Sequence, residues 1–548
     1  MGINRRRMLA GVAVGGLLAG QAEAALAGVS PGGVTHWIRR RAPFHKKAGP
    51  KPVVRTASGP VRGRAEGTIS IFKGIPYAAP TGGANRFKPP RPREPWSGVL
   101  EAASFGRISP QPSFPVIVEE RGSQAFDPQG EDCLALNVWT PSLQARLPVM
   151  VWFHGGGYVV GGGSAPWYDG TALATHQGVV VVTINHRLNV FGFLDLSSMG
   201  GEAFSGNAGM LDCVAALEWV RANISGFGGD PGNVTIFGES GGAGKVSTLM
   251  AMPAAKGLFH KAIAESGAAL THSTREATAR TAKALFDQLG LQAGDIASLQ
   301  ALPVETILAA TGKMRPPGAF GPVVDGRDIP SNPFDPGAPE MSADVPFMTG
   351  TNLTEATFFA DTPLDPIDDA TLRQKVKQYT HVDDSGADEL ISLYRTGNPG
   401  RDNVFVYQLI ASDYWMRSGV LLQAERKAAQ GRAPVYVYQF NWLSKARGGK
   451  LHCPHGSEIP FAFDNVHTAP ELLGSGPAQS ALAAQMSAAW AAFARTGKPG
   501  ADRLPDWPTY GADGRAVMIF DAESRVEHDP GGPQRIAIAA LKTAQARA

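Results

Sequence analysis

No stretch of 18 or more apolar residues occurs in the chain, so a membrane-spanning helix is not expected. Cysteine is scarce: Cys133, Cys213 and Cys453 are the only three in 548 residues. None has metal-frame spacing, and an odd count leaves at least one thiol unpaired. Cys453 lies beside His452 and His455, but no fourth ligand cluster accompanies them. An excess of one charge is also missing from most of the chain. The net charge is +3, yet residues 1–50 hold eight Lys or Arg and one acid, Glu23. The remainder has 43 bases against 47 acids, a net −4, which excludes a basic nucleic-acid-binding body. There is no internal repeat. What remains is a globular composition, 43% hydrophobic and 18% charged, with ample material for a core.

The basic N-terminus reads as an export signal over residues 1–27. Arg5, Arg6 and Arg7 precede an apolar, glycine-rich stretch, and small residues offer cleavage at Ala22-Glu23-Ala24 or Ala25-Leu26-Ala27. The arginine pair and mild apolar core resemble a twin-arginine signal, which exports folded proteins; an ordinary secretory signal is the alternative. The protein is therefore expected in the periplasm or outside the cell. Residues 28–50 read as a basic Gly/Pro-rich linker, and residues 51–548 as one domain.

That domain opens with strands and turns, "VVRTASGPVRGRA" and "ISIFKGIPYAAP". "LPVMVWF" (147–153) and "VVVVTI" (179–184) lack polar alternation, as strands covered on both faces of a parallel sheet do. In "NAGMLDCVAALEWVRANI", Met210, Val214, Leu217 and Val220 fall on one helical face. Further strands are expected at "VPFMTG" (345–350) and "PVYVYQF" (434–440), and mainly helices at 271–312 and 366–430. Strand alternating with helix gives an α/β fold with a mostly parallel sheet.

Inside this framework "FGESGGAGKVS" (237–247) permits two chemistries. A phosphate loop would need glycine where Glu239 stands, and a hydroxyl where Val246 stands, so it fails twice. A nucleophile elbow, Gly-x-Ser-x-Gly, fits Gly238, Ser240 and Gly242. The elbow requires a strand before and a helix after. "NVTIF" (233–237) and the run to Pro253 supply both.

A serine hydroxyl needs a base and an acid that orients it, in the chain order serine, acid, histidine for this architecture. Glu355, just past "VPFMTG", is the candidate acid, with Asp325 a rival that reads more simply as a turn former. His455 and His452 both follow "PVYVYQF" as candidate bases; Glu458 reads as a loop ion-pair partner. Backbone donors for an oxyanion are offered by the glycines of "FHGGGY" (153–158), with His154 structural.

Several long motifs in order then resemble the type B carboxylesterases, the family that includes cholinesterases and bacterial para-nitrobenzyl esterases. "FGGDPGNVTIFGESGG" (227–242) is similar to its serine signature and "EDCLALNVWTP" (131–141) to its second signature; "FKGIPYA" and "HRLNVFGFL" also match. The likeness runs from about Val53 to the C-terminal region. It implies an α/β-hydrolase fold, with helical insertions over the active site. It implies Ser240 as nucleophile, Glu355 as acid and His455, rather than His452, as base. It implies Gly156, Gly157 and Gly241 as oxyanion donors. Gly241 stands where alanine is common, which keeps the N–H and predicts a looser turn. Ser266, in "AESGA", resembles a serine that helps hold the acid, and Lys245 departs from the pattern.

The implied reaction is ester hydrolysis through an acyl-enzyme, on small-molecule esters, with no metal or organic cofactor and no nucleic-acid partner. An acid limb from a single protonation near about 6.5 is expected. An amide or carbamate hydrolase, or a hydrolase-fold binding protein without activity, are the alternatives. A cholinesterase is not expected, because no tryptophan lies between Ser109 and Cys133. Relatives pair the cysteine of the "EDC" signature upstream, where this chain has Ser109, so no disulfide is expected.

Overall fold

In the strand Leu147–Phe153 the side chains of Val149, Val151 and Phe153 enter one apolar cluster, and those of Met150 and Trp152 another. Two buried faces on one strand mean a sheet sandwiched between helical layers, as the unbroken apolar run predicts. The computed structural model describes residues 51–113, 118–200, 203–315 and 320–547. The expected export signal (1–27) and linker (28–50) lie outside the described residues.

The central sheet has eleven strands. In chain order these are β1 (Arg64–Glu66), β2 (Ile69–Pro76), β3 (Ala135–Thr140), β4 (Leu147–Phe153), β5 (Val180–Ile184) and β6 (Gly229–Glu239). They continue with β7 (Lys261–Glu265), β8 (Phe347–Asn352), β9 (Val435–Phe440), β10 (Ala516–Phe520) and β11 (Arg525–His528). Across the sheet they run β11-β10-β9-β8-β7-β6-β4-β5-β3-β2-β1. The strands from β4 to β10 are mutually parallel, and the outer ones antiparallel. The mostly parallel sheet expected from the sequence is what forms.

Helix α1 (Ala208–Asn223) turns Met210, Cys213, Leu217 and Val220 onto one face of the sheet. α2 (Gly241–Leu249) packs on the same side. The long α5 (Pro477–Thr496) covers the other face with Leu482, Met486, Trp490 and Phe493. Between them in sequence, α3 (Asn403–Ser412) passes through one π turn, Asp413–Arg417, into α4 (Ser418–Ala428). Among the described residues, no helix is long and apolar enough to cross a membrane.

The sheet register matters most for the site. Phe153 lies opposite Gly238, Glu239 opposite Glu265, Glu265 opposite Gly350, and Asn352 opposite Phe440. The carboxyl ends of β4, β6, β7, β8 and β9 are therefore level. The loops that leave them converge at one edge, where open α/β sheets place their ligands.

Candidate active site

Ser240 is the residue at which β6 becomes α2. Its backbone sits at φ +56°, ψ −122°, a conformation that costs a non-glycine residue free energy. Two bonds hold it there: its N–H donates to the carbonyl of Glu265 at 2.9 Å, and its own carbonyl accepts from Gly244 N–H at 3.0 Å. Gly242 lets the helix start lie directly on β4, because a Cβ there would collide with the Phe153 carbonyl. The elbow read from the sequence thus forms between a strand and a helix.

Beside it stand three glycines. Gly156 and Gly157 have φ of +91° and +59°, values glycine adopts without steric penalty. Gly241 opens α2, so its N–H has no partner within the helix. Among the described residues none of the three N–H groups donates to a backbone or loop acceptor. A Cβ on Gly241 would lie 2.7 Å from Gly157 N. The missing methyl lets the two donor segments approach more closely than alanine would allow.

Glu355 follows β8 and is fully buried. One carboxylate oxygen accepts from Asn352 N–H at 2.7 Å, and the other lies 2.6 Å from His455 Nδ1. The loop bearing His455 is tied to the Glu355 turn twice: Thr354 N–H donates to Cys453 O at 3.1 Å, and Cys453 N–H to Thr354 Oγ1 at 2.8 Å. The rival residues go elsewhere. His452 Nδ1 contacts Gln408 Oε1 at 2.6 Å. Asp325 accepts from the N–H groups of Arg327, Asp328 and Ile329, the turn-forming role expected of it.

Two expectations are corrected. Glu458 is not a loop ion-pair partner: it is fully buried and accepts from Ser266 Oγ at 3.0 Å and from the Asn352 side-chain amide. Ser266 accordingly bonds Glu458, not the candidate acid Glu355. The reason is topological. β7 and β8 are neighbours, and the turn after β7 faces the loop that carries both His455 and Glu458.

Sequence reasoning also missed a carboxylate in the motif itself. His455 Nε2 lies 3.1 Å from Glu239 Oε1, and Ser240 Oγ makes no hydrogen bond among the described residues. Burial disfavours the His455 cation, but Glu239, Glu355 and Glu458 outweigh it and push its pKa up to about 10. Burial holds the Glu239 carboxyl well above the usual carboxylate range, although His455 pulls it down. The 3.1 Å approach is not a hydrogen bond: Glu239 Oε1 is a buried oxygen without a hydrogen-bond partner among the described residues. Glu458 is raised to about 7, by burial first and then by Glu355. Position gave the only signal for Glu239, as the immediate neighbour of Ser240. Phe359 and Trp415, whose rings lie 5.5 and 5.4 Å from that of His455, had none.

His154 is structural as expected. It is buried, stacked 4.8 Å from His186, and held neutral by burial and by Lys245, with its pKa lowered to about 3.

A family model described as the carboxylesterase family matches residues 50–535. The chain is 38% identical over 493 residues to a para-nitrobenzyl esterase of Bacillus subtilis (strain 168), covering 88% of this chain and 97% of the relative. It is 35% identical over 509 residues to a phenmedipham hydrolase of Pseudarthrobacter oxydans, covering 90% and 99%. Among solved structures, an esterase from anaerobic Clostridium hathewayi described as able to hydrolyze aliphatic aromatic polyesters is similar. That match has a TM-score of 0.78 and 35% identity, over 89% of this chain and 98% of that one.

Proposed function

The chain belongs to the carboxylesterase family, with its α/β-hydrolase fold, and is a serine hydrolase of carboxylic esters; from that premise we propose that Ser240 is its nucleophile, His455 its base and Glu355 the acid that orients the base. Gly156, Gly157 and Gly241 donate to the oxyanion. The observation that carries this reading is Ser240 held at a positive φ beside three unused glycine N–H groups, with His455 and Glu355 paired at 2.6 Å on the adjoining loops.

The reaction follows from the groups. With Nδ1–H given to Glu355, the neutral ring offers Nε2 as acceptor. Nε2 turns from Glu239 to the Ser240 hydroxyl and takes its proton as the oxygen bonds to the ester carbonyl carbon. The carbonyl oxygen becomes an oxyanion against the three N–H groups, each worth about 3–4 kcal/mol in comparable sites. Collapse breaks the bond to the alcohol oxygen, which leaves with the proton from His455. Water, deprotonated by His455, then attacks the acyl-enzyme; the acid departs and Ser240 regains its proton. Glu355 stabilises the imidazolium in both halves. The protein is exported by residues 1–27, a reading supported by the arginine cluster, apolar stretch and small residues there.

The test is a panel of esters that varies the acyl chain and the alcohol separately, with an amide and a carbamate as further arms. Ser240→Ala should lose at least about a thousandfold in kcat while keeping the wild-type melting temperature. An organophosphate should label Ser240 one to one. Wild-type turnover in the alanine variant would overturn the assignment.

A further inference from the structure

Lys245 is fully buried on α2, five residues past Ser240. A buried ammonium ordinarily has a carboxylate partner, because desolvating an unpaired charge is costly. Among the described residues Lys245 forms no ion pair. Its Nζ donates to two backbone carbonyls, His154 O at 3.1 Å and Gly241 O at 3.3 Å, and lies 4.8 Å from the centre of the Tyr158 ring. His154 and Tyr158 bracket Gly155–Gly157, and Gly241 is the donor on the elbow. Both hydrogen bonds and the ring contact are thus to the two segments that carry the proposed oxyanion donors. The neighbouring sequence accommodates this arrangement: a Cβ on Gly244 would lie 2.6 Å from the Tyr158 hydroxyl oxygen.

Five titratable groups face Lys245. His154 and His186 are kept neutral by burial and by the lysine's own charge. Burial likewise keeps the Tyr158 hydroxyl and the Cys213 thiol protonated. Glu239 lies 3.1 Å from His455 Nε2, and burial holds its carboxyl well above the usual carboxylate range. The lysine therefore supplies the fixed positive charge behind the donors.

We infer that Lys245 is a positioning residue of the oxyanion site: its ammonium ties the His154 carbonyl to that of Gly241, fixes Gly156 and Gly157 against Gly241, and sets an unpaired positive charge behind their N–H groups. The inference rests on the reading of those glycines as oxyanion donors. A charge placed there acts on the oxyanion that develops in the transition state far more than on the neutral ester. Burial lowers the Lys245 pKa to about 8, so the charge is lost in mildly alkaline solution.

The test compares wild type with Lys245→Met, a neutral side chain of similar length, and Lys245→Gln, which keeps N–H donors without charge. The probe is an aryl trifluoromethyl ketone, whose hemiketal oxyanion occupies the donors; turnover of a p-nitrophenyl ester is read in parallel. In both variants Ki for the ketone should rise about tenfold or more and kcat fall by a similar factor, with KM within about twofold. The ratio of wild-type to variant kcat should fall as pH rises through 8, because His455 titrates alike in all three enzymes and Lys245 only in the wild type. Wild-type Ki in the variants, or a kcat ratio that stays constant through pH 8, overturns the role of Lys245. Should neither variant fold, wild-type Ki is followed from pH 6.5 to 9.5: weakening through pH 8 supports the role, and a flat or tightening Ki overturns it. Ser240→Ala separates the two readings. If ketone binding does not depend on Ser240, the oxyanion reading itself fails; if it does and Lys245→Met binds normally, only the lysine's role falls.

Discussion

At His455 two carboxylates compete for one ring. Nδ1 is committed to Glu355 at 2.6 Å, while Nε2, the nitrogen that must accept the serine proton, faces Glu239 at 3.1 Å. An anion beside a cation raises the pKa of the cation, and that of His455 is raised. The acid limb of kcat/KM therefore lies above the value of a free imidazole, not at about 6.5 as the sequence alone suggests. The direction of one substitution follows. Glu239→Gln keeps the shape and takes away the carboxyl whose anionic form raises His455, so the His455 pKa must fall. The limb should move to lower pH by about one to two units, with the plateau rate changed less than about tenfold. A pH–rate profile of the two enzymes decides it; a limb that stays in place shows that Glu239 does not bear on the base.

The elements that build the site are mostly turns at strand ends, and one helix irregularity. In the π turn Asp413–Arg417, Asp413 accepts the Tyr394 hydroxyl at 2.6 Å while Trp415 packs 4.7 Å from Phe359 and 5.4 Å from His455. A π turn carries one more residue than the regular helix on either side of it, which lets both side chains find their places. Trp415 and Phe359 together wall the face of the base. Trp415→Ala should enlarge the substrate space there. Esters with bulky alcohols should gain in kcat/KM relative to small ones by about three- to tenfold, with a modest loss of stability because the ring is only half-buried. The ester panel reads this directly. An unchanged ratio between bulky and small esters would place that wall away from the substrate.

Over the whole molecule, the three cysteines are far apart in sequence and alike in burial. Cys213 is a buried apolar residue of α1, as its place in the helical pattern suggests, and Cys453 donates to the Phe440 carbonyl beside the His455 loop at 3.0 Å. All three are free and fully buried, and burial pushes every thiol up in pKa, which suppresses the reactive thiolate. The proposed export predicts that protein recovered from the periplasm or medium begins after residue 24 or 27. Its thiols should be inert in the native state and titrate as three per chain once denatured without reductant, and a mild reductant should leave activity and Tm unchanged. One free thiol per denatured chain, or recovery with the N-terminus intact, would count against folded export.

The sequence by itself determined the framework. Short, β-branched apolar runs without alternation at 147–153 and 179–184 read as strands covered on both faces, and the Gly-x-Ser-x-Gly turn between strand and helix is legible because glycine and β-branched spacing act locally. Short or alanine-rich elements escaped notice. β7 is a five-residue strand with a charged residue at each end, and α5 carries little local signal because its apolar face is spread among alanines. Only the tertiary structure decided where the polar groups point. Residues 239, 355, 455 and 458 meet because the strand ends are level, a fact set by sheet register and not by any local pattern. Whether Glu458 pairs at the surface or is buried against Ser266, whether Nε2 faces Ser240 or Glu239, and whether Lys245 is solvated or locked against two carbonyls are questions of burial. Burial depends on which segments pack together across hundreds of residues, and that sum is made only when the chain has folded.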